Sequence, residues 1–455
     1  MQQGYLVFEG IECVYAKLDD SLIVTPKNES DVRELFRSCT KTNFILEYEQ
    51  HIYKKSLVYI EKILPRLDYS FSFITKYTVN LLDDYEVNSF ILTGDDIDVF
   101  FSPSRYFYEK KTSNETISEL LYGKEEVKKF FFVHKEKTIS VSLYYGEILK
   151  HGIASDLKLH PQLCFEFEKT KDINFIYEVY LTIIKFLQIV RYQKSYNLKP
   201  AEIIGITEKY SKSILGRLYK NPYLSKDHRK TSESDYIYFE PFISQLLQLI
   251  SDDESLSIRH LPLTESESYE YDVLRYLSVF SAFEYECNKK PEEYVYTSDE
   301  SLKNIKNELL MTIDLIRKGA SIDKEKVFLD NARKRVTQLG TQYGQEKKIT
   351  NAYNSLENII NGSIQYLFPS GFNIKEVSKN LSKLRAKIAH DNLYRELTDE
   401  ELRNIRFLDV LSYIMLLKRA GVNACSIEVI IGAIFHCNFK YMGYKKDNSR
   451  NQLIE

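Results

Sequence analysis

Apolar residues recur every three or four positions through much of the C-terminal half of the chain, which is the period of an amphipathic helix. The clearest stripe consists of Val377, Leu381, Leu384 and Ile388. A second stripe, Leu402–Leu417, follows Thr398–Glu401, which has the sequence of a capping box, and Gly421 is placed to end that helix. Further helices are predicted over 271–287, 301–317, 323–346 and 427–439. Together these segments predict an all-α bundle.

The N-terminal half has a different pattern, in which β-branched and aromatic residues are bounded by turn formers. Strands are predicted over 4–16, 21–25, 42–48, 70–74, 89–92, 99–103, 138–145 and 163–168. They favour a twisted antiparallel sheet or an open barrel. The apolar period then changes to that of a long helix over 172–193.

These patterns predict an α+β chain with three parts. A strand-rich N-terminal domain spans 1–223 and includes the helix at 172–193. A polar linker with a connecting helix follows at 224–264. The all-α helical bundle occupies 265–445. A chain of 455 residues is long enough for two or three domains.

Composition restricts the cellular setting. The chain has 62 basic and 65 acidic residues, so contact with nucleic acid requires a local basic patch. Its six cysteines form no CxxC pair, which favours reduced and buried thiols. The sequence shows neither a signal peptide nor an apolar run of membrane-spanning length, so we expect a cytoplasmic protein with no membrane partner.

Candidate chemistry is concentrated in the stretch Leu384–His390. Arg385 is a permanent cation that pairs with phosphate oxygens, and His390 can exchange protons near neutral pH. On a helical wheel these two residues flank a strip of small side chains, made of Ser382, Ala386 and Ala389. A second helix can approach such a strip closely. The alternative is that the alanines only favour helix formation on a solvated surface.

Other kinds of chemistry have less support. The chain contains no phosphate-binding glycine loop, no dinucleotide fingerprint and no common serine-hydrolase or zinc-protease motif. The aspartates of Gly94–Asp98 lack the spacing of a calcium loop. The other seven histidines have no partner at the spacing of metal ligands. We therefore expect no metal site and no cofactor.

The stretch Leu384–His390 resembles the Arg-spacer-His motif of ribonucleases in the HEPN superfamily. The resemblance is specific over 375–421, extends over 265–440, and points to the Apea-like branch found in ApeA-type anti-phage defence proteins. Two positions depart from the usual motif. Ala386 stands where a polar residue is common, and Asp391 stands where glycine is common.

The resemblance implies a metal-independent endoribonuclease in which Arg385 and His390 are catalytic. We also expect the neighbouring Lys387, Asp391 and Asn392 to contact the substrate. That substrate is expected to be tRNA or another cellular RNA, cleaved during abortive infection to stop growth. The strand-rich domain is then expected to sense a phage-derived trigger and to restrain the nuclease.

Cleavage of RNA by its own 2′-hydroxyl needs a base, an acid, and a cation that stabilises the phosphoryl oxygens. One copy of the chain supplies one histidine at this motif, whereas a two-fold dimer supplies two histidines and two arginines. We therefore predict a homodimer with a shared site that forms 2′,3′-cyclic phosphate ends. Two alternatives stay open: a catalytically weak dimerisation or RNA-binding module, and a toxin subunit controlled by a partner protein or by modification.

Overall fold

The computed structural model divides the chain into two compact units, 1–265 and 266–455. The first unit is built on antiparallel β-sheet and the second is helical, which confirms the predicted α+β class. The structure describes residues 2–18, 21–48, 55–81, 85–102, 110–111, 116–117, 128–148, 158–207, 213–218, 238–264, 266–294, 300–338, 344–390 and 396–437.

The N-terminal unit consists of one large sheet, a short two-stranded ribbon and helices that cover the sheet. Its strands are β1 (Gln2–Phe8), β2 (Ile11–Lys17), β3 (Ser21–Pro26), β4 (Thr42–Tyr48), β5 (Lys55–Pro65), β6 (Phe71–Leu81), β7 (Tyr85–Leu92), β8 (Lys110–Lys111), β9 (Thr116–Ile117), β10 (Lys128–His134), β11 (Lys137–Ile148), β12 (Lys158–Thr170), β13 (Ala201–Thr207) and β14 (Ser213–Leu218). Its helices are α1 (Val32–Arg37), α2 (Asp95–Phe100), α3 (Ile173–Arg191) and α4 (Ile243–Asp252). The large sheet has the order β1-β2-β3-β6-β14-β13-β7-β12-β11-β10, and β8 pairs with β9 in the ribbon.

The large sheet curls at one end into a partly open barrel. Strand β6 pairs with β5 on one side and with both β3 and β14 on the other, and β5 continues to β4. Strands β1 and β4 close the curl through side chains. The rings of Phe8 and Phe44 stack with centroids 5.5 Å apart, and Phe8 packs edge-on against Phe73 of β6. The sheet is therefore a barrel at one end and open at the other.

Two of the predicted strands differ from the structure. Segment 4–16 is a hairpin rather than one strand, because Glu9 and Gly10 adopt φ angles of 54° and 81° and turn the chain. The strand predicted at 99–103 is wrong over its described residues. Residues 99 and 100 end helix α2, and residues 101 and 102 follow it outside any strand. Asp95 and Asp96 lie in the first turn of that helix, where acidic side chains are favoured by the helix dipole.

Helix α3 is the core helix of this unit, in agreement with the predicted long helix. Asp172 caps it by accepting the backbone N–H of Phe175 at 3.1 Å. Tyr180 packs edge-on against Phe90 of β7, and Phe175 packs edge-on against Phe167 of β12. The helix is long and apolar enough to cross a membrane, but 72% of its most apolar window is buried inside the structure.

Helix α4 covers strand β10, which is the last strand of the sheet. The backbone N–H of Val133 donates to Gln248 Oε1 at 2.7 Å, and Gln248 Nε2 donates to the backbone oxygen of Val133 at 3.2 Å. A side-chain amide thus pairs with an edge that is otherwise open to another strand. The described part of the expected linker, 238–264, belongs to the N-terminal unit, whereas the polar segment 224–235 lies outside the described residues.

The aspartates at the start of α2 have structural partners. Asp96 pairs with the buried guanidinium of Arg191 and accepts the backbone N–H of Asn197 at 2.6 Å. Asp98 Oδ2 lies 3.1 Å from His160 Nδ1. These contacts join α2 to the end of α3 and to β12, so this acidic run serves the fold.

The C-terminal unit is a helical bundle. Its described helices are α5 (Val273–Lys289), α6 (Pro291–Tyr294), α7 (Glu300–Gly319), α8 (Asp323–Gln338), α9 (Gln345–Leu367), α10 (Ile374–His390), α11 (Asp399–Arg419) and α12 (Ala424–Phe435). The helix predicted over 323–346 ends at Gln338, and α9 has no counterpart among the predicted segments. The predicted capping box is confirmed: Thr398 Oγ1 accepts the N–H of Glu401 at 3.3 Å, and Glu401 Oε2 accepts the N–H of Thr398 at 3.0 Å.

Two buried ion pairs join α5 to α11. Arg275 lies 3.4 Å from Asp409, and Arg419 binds Glu286 through two hydrogen bonds of 2.8 Å. Asp409 is fully buried and also accepts the hydroxyl of Tyr271 at 2.9 Å. The pairs are eleven residues apart on α5 and ten residues apart on α11, so the two helices run parallel.

We expect Asp409→Asn to destabilise the C-terminal unit by about 3–5 kcal/mol, because the substitution removes the fully buried carboxylate that pairs with Arg275. Asp330→Asn is the matched control, since it removes an exposed pair with Arg317 and should cost at most about 1 kcal/mol. Urea unfolding followed by circular dichroism measures both variants. Equal losses of stability would contradict the importance of the buried pair.

Candidate functional site

The candidate residues lie on helix α10, which is fixed on one side. The helix begins after Asn373, whose Oδ1 accepts the backbone N–H of Lys375 at 3.1 Å. The predicted apolar stripe is at most 5% exposed at each of Val377, Leu381, Leu384 and Ile388. This side of α10 is buried in the bundle, and the opposite side carries exposed residues.

Arg385 lies at the border between the two sides of α10. It is half-buried, and its guanidinium carbon is 5.7 Å from the ring centroid of Phe280 on α5. A guanidinium at this distance is attracted to the aromatic face, and the ring holds it while part of the side chain stays exposed. Arg385 forms no ion pair with a carboxylate among the described residues. It is therefore an oriented cation that can bind an anionic group.

Tyr276 fixes α10 from the same helix, α5. Its hydroxyl donates a 2.8 Å hydrogen bond to the backbone oxygen of Leu381, and its ring packs edge-on against Phe280. Burial raises the pKa of Tyr276, while the positive charge of Arg385 acts in the opposite direction. The phenol is therefore protonated near neutral pH and remains a hydrogen-bond donor.

Hydrogen bonds also join α10 to two other helices. Asn380 Nδ2 donates to Glu400 Oε1 of α11 at 2.7 Å. The Thr350 hydroxyl of α9 donates to Ser378 Oγ at 3.3 Å. Together with Tyr276, these contacts hold α10 against three neighbours. The direction of its exposed face is thus determined by the bundle.

The small-residue strip is described only in part. Ser382 is half-buried and Ala386 is exposed, which agrees with the predicted outward face. Ala389 and His390 complete the backbone of α10, but their side chains lie outside the described part of the chain. Asp391 and Asn392 lie outside it entirely. The structure therefore positions Arg385 and the backbone of His390, and their catalytic roles stay predictions.

A row of lysines follows the exposed face of α10 at intervals of four residues. The row consists of Lys375, Lys379, Lys383 and Lys387. All four are exposed, and none forms an ion pair with another described residue. Because a helix rises 1.5 Å per residue, the row extends over about 18 Å. The chain has nearly equal numbers of basic and acidic residues, and this row concentrates positive charge on one side of α10.

Of the four lysines, only Lys387 was predicted from the sequence to contact a substrate. The regular interval of four residues was the signal for the other three lysines, since it places them on neighbouring turns of one helix. Glu376 is the single acidic residue of α10. The exposed face of the helix is therefore basic along its whole length.

Several other reactive side chains in the described residues are buried or have structural partners. His134 Nδ1 lies 2.9 Å from Ser251 Oγ, which joins β10 to α4. Burial raises the pKa of the Cys13 thiol to about 11 and that of the Cys287 thiol to about 12. Cys425 is exposed, so the prediction of buried thiols is wrong for this residue. Where side chains are described, no three His, Cys, Asp or Glu residues form a group that could hold a metal ion.

No family model, curated protein or solved structure gives a significant match to this chain. The resemblance to the HEPN nucleases therefore stays a prediction carried by Leu384–His390. The function that fits the molecule best has to be inferred from α10 and the residues around it.

Proposed function

We propose that the chain is a metal-independent endoribonuclease whose active site forms where the α10 helices of two copies meet. The observation that carries this proposal is the position of Arg385. This residue lies on α10, the helix that ends at His390, and Phe280 of α5 orients its guanidinium. A fixed cation and a proton-exchanging group are what phosphodiester cleavage needs. The likeness of Leu384–His390 to the HEPN nuclease motif supports the same assignment.

In the proposed reaction the 2′-hydroxyl of a nucleotide attacks the adjacent phosphorus. The neutral imidazole of His390 in one copy takes the hydroxyl proton, and the imidazolium of His390 of the partner subunit protonates the leaving 5′-oxygen. Arg385 stabilises the charge that grows on the phosphoryl oxygens. The products are a 2′,3′-cyclic phosphate and a 5′-hydroxyl end.

The small side chains of α10 are the proposed contact between the two copies. Ala386 is exposed and Ser382 is half-buried, and both side chains are small. The distance between packed helices depends on the side chains at the contact, and small ones allow a close approach. A two-fold axis uses the same face of each copy, which brings two histidines and two arginines to one cleft.

The lysine row of α10 is the proposed binding surface for the RNA backbone. Four exposed ammonium groups can each neutralise a phosphate and release its counterions. These contacts do not depend on base identity, which is compatible with tRNA or other cellular RNA as the substrate. Lys387 is the member of the row nearest His390 in sequence, and Asp391 and Asn392 are proposed to contact the adjacent nucleotides.

Abortive anti-phage defence in the cytoplasm is the proposed setting of this activity. The support is the HEPN likeness together with the arrangement of a β-sheet unit before a helical unit. In this proposal the N-terminal unit detects a phage-derived trigger and releases the nuclease. Cleavage of cellular RNA then stops growth of the infected cell.

A non-catalytic RNA-binding module is the second candidate, and the exposed Ala386 favours it. A polar residue is common at this motif position, and a methyl group offers no hydrogen bond to a phosphate or a water molecule. The lysine row is sufficient for RNA binding without cleavage. The two candidates differ in whether the chain produces cyclic phosphate ends.

We expect His390→Ala and Arg385→Ala each to lower RNA cleavage by about 10²–10⁴-fold, because each removes a group that acts in the transition state. Cleavage by the wild type is expected to continue in excess chelator and to leave 2′,3′-cyclic phosphate ends. Gel analysis of a labelled RNA with end-group analysis measures both. His228→Ala and Arg259→Ala, which change residues outside the helical unit, are the matched controls. Equal cleavage by the wild type and His390→Ala would remove the nuclease assignment.

We expect Lys379→Gln combined with Lys383→Gln to reduce the slope of RNA affinity against salt, on logarithmic scales, by about 1.5, because two phosphate contacts are lost. The cleavage rate of bound RNA is expected to stay unchanged, since Lys379 and Lys383 lie about three and two turns before His390 on α10. Lys324→Gln combined with Lys334→Gln, on α8, is the control. Binding titrations at several salt concentrations measure the slope, and an unaltered slope would show that the row does not contact RNA.

We expect Ala386→Trp to abolish cleavage, because an indole between two close backbones causes overpacking that costs about 1–3 kcal/mol or more. The contact itself is measured with Ser382→Cys in a chain whose exposed Cys425 is changed to serine. Copies that meet at this face should form a disulfide at position 382, and Ala386→Trp should prevent it. A variant that still cross-links and cleaves RNA rules out this face as the shared site.

A further inference from the structure

Helices α7 and α8 form a hairpin with two surfaces that face away from their mutual contact. Arg333 pairs with Asp314 at 2.8 Å, and Arg317 pairs with Asp330 at 2.6 Å, which fixes the two helices against each other. Among the described elements, α7 and α8 pack mainly against each other. Their outward surfaces are therefore available to a partner.

Large apolar side chains cover much of these outward surfaces. Those that are at least 48% exposed are Ile305, Leu309, Met311, Leu315, Ile316, Ile322, Val327 and Phe328. They are eight of the twenty-one exposed large apolar side chains in the described residues, although the hairpin is a small part of the chain. Exposed apolar residues concentrated in this way mark an interaction surface.

The residues along one face of α7 are placed symmetrically about the middle of the helix. Glu308, Met311, Leu315 and Lys318 follow one another at intervals of three, four and three residues, so they share one side of the helix. Met311 and Leu315 are 71% and 73% exposed, and each lies two residues from position 313. Glu308 and Lys318 each lie five residues from the same position. Position 313 is therefore the centre of a face with an acid at one end and a base at the other.

We propose that this face of α7 binds a second copy of itself, with the two helices antiparallel about a two-fold axis at position 313. Met311 of each copy then packs against the partner's Leu315, and Glu308 of each copy lies opposite the partner's Lys318. Such a contact is self-complementary, as a two-fold interface requires. A parallel arrangement instead places Glu308 opposite Glu308, and like charges across an interface are unfavourable.

The charges at the two ends of this face are available for the contact. Neither Glu308 nor Lys318 forms an ion pair within the described part of the chain. By contrast, Asp314 and Arg317 of the same helix are already paired with α8. Glu308 and Lys318 are thus available to recognise a partner, and in an antiparallel pair each lies opposite the complementary charge of a second α7.

This contact is independent of the ribonuclease proposal, because it uses α7 and not α10. Two self-complementary contacts on one chain either share a two-fold axis or link copies into a larger assembly. An experiment on α7 therefore has to be carried out with and without the α10 contact. Ala386→Trp provides the second background.

The test is the mass of the full chain in solution, measured by light scattering in the wild-type and Ala386→Trp backgrounds. Met311→Glu combined with Leu315→Glu is expected to halve the mass of the Ala386→Trp chain, because it places carboxylates in the apolar centre of the contact. Leu67→Glu, at a leucine that is 104% exposed in the N-terminal unit, is the control and should leave the mass unchanged.

Charge reversal identifies the partner. Glu308→Lys and Lys318→Glu are each expected to raise the dissociation constant of the Ala386→Trp dimer by about tenfold, and the double reversal should restore it. An Ala386→Trp chain that is already monomeric overturns the proposal, as does an unchanged mass after the Met311 and Leu315 substitutions. A double reversal that stays weak also overturns it, because Glu308 then does not lie opposite the partner's Lys318.

Discussion

The helical unit depends on the parallel pairing of α5 with α11, which two buried ion pairs determine. Burying four charged groups is costly unless each is paired, and the pairs Arg275–Asp409 and Glu286–Arg419 satisfy this condition. An antiparallel arrangement of the same helices brings Arg275 toward Arg419 and Glu286 toward Asp409. Groups of like charge then lie close together inside the bundle, which is unfavourable. The ion pairs therefore specify the direction and register of the two helices, whatever net stability they add.

The position of α10 follows from that pairing. Helix α5 presents Tyr276 and Phe280 one turn apart, and they act on two different parts of α10. Tyr276 binds the backbone at Leu381, while Phe280 supports the guanidinium of Arg385. The backbone and the cation of α10 are thus positioned by one neighbouring helix. Preorganisation of this kind, by side chains that are themselves locked by packing, is what a binding or catalytic group requires.

The sequence was informative where one helix carries its own signals, as in the apolar stripe of α10 and the capping box of α11. It was silent about α9, which contains Gly362 and four asparagines, residues with low helix propensity. It also missed β14, where Gly216 interrupts the apolar pattern. A Cβ at Gly216 meets the backbone oxygen of Thr78 at 2.2 Å, so close strand packing requires the glycine. The support of Arg385 by Phe280 joins residues far apart in sequence, and no local pattern encodes it.

In the proposed dimer, holding two copies together and assembling the reactive groups are separate tasks. A site shared between copies exists only in the associated state, so its population depends on the concentration of the chain. The face of α10 with small side chains offers little apolar area for association, whereas the exposed Met311 and Leu315 of α7 offer more. A contact at α7 raises the effective concentration of one α10 near the other. The α10 contact can then be weak, which is compatible with the proposal of a nuclease that stays inactive until a trigger acts.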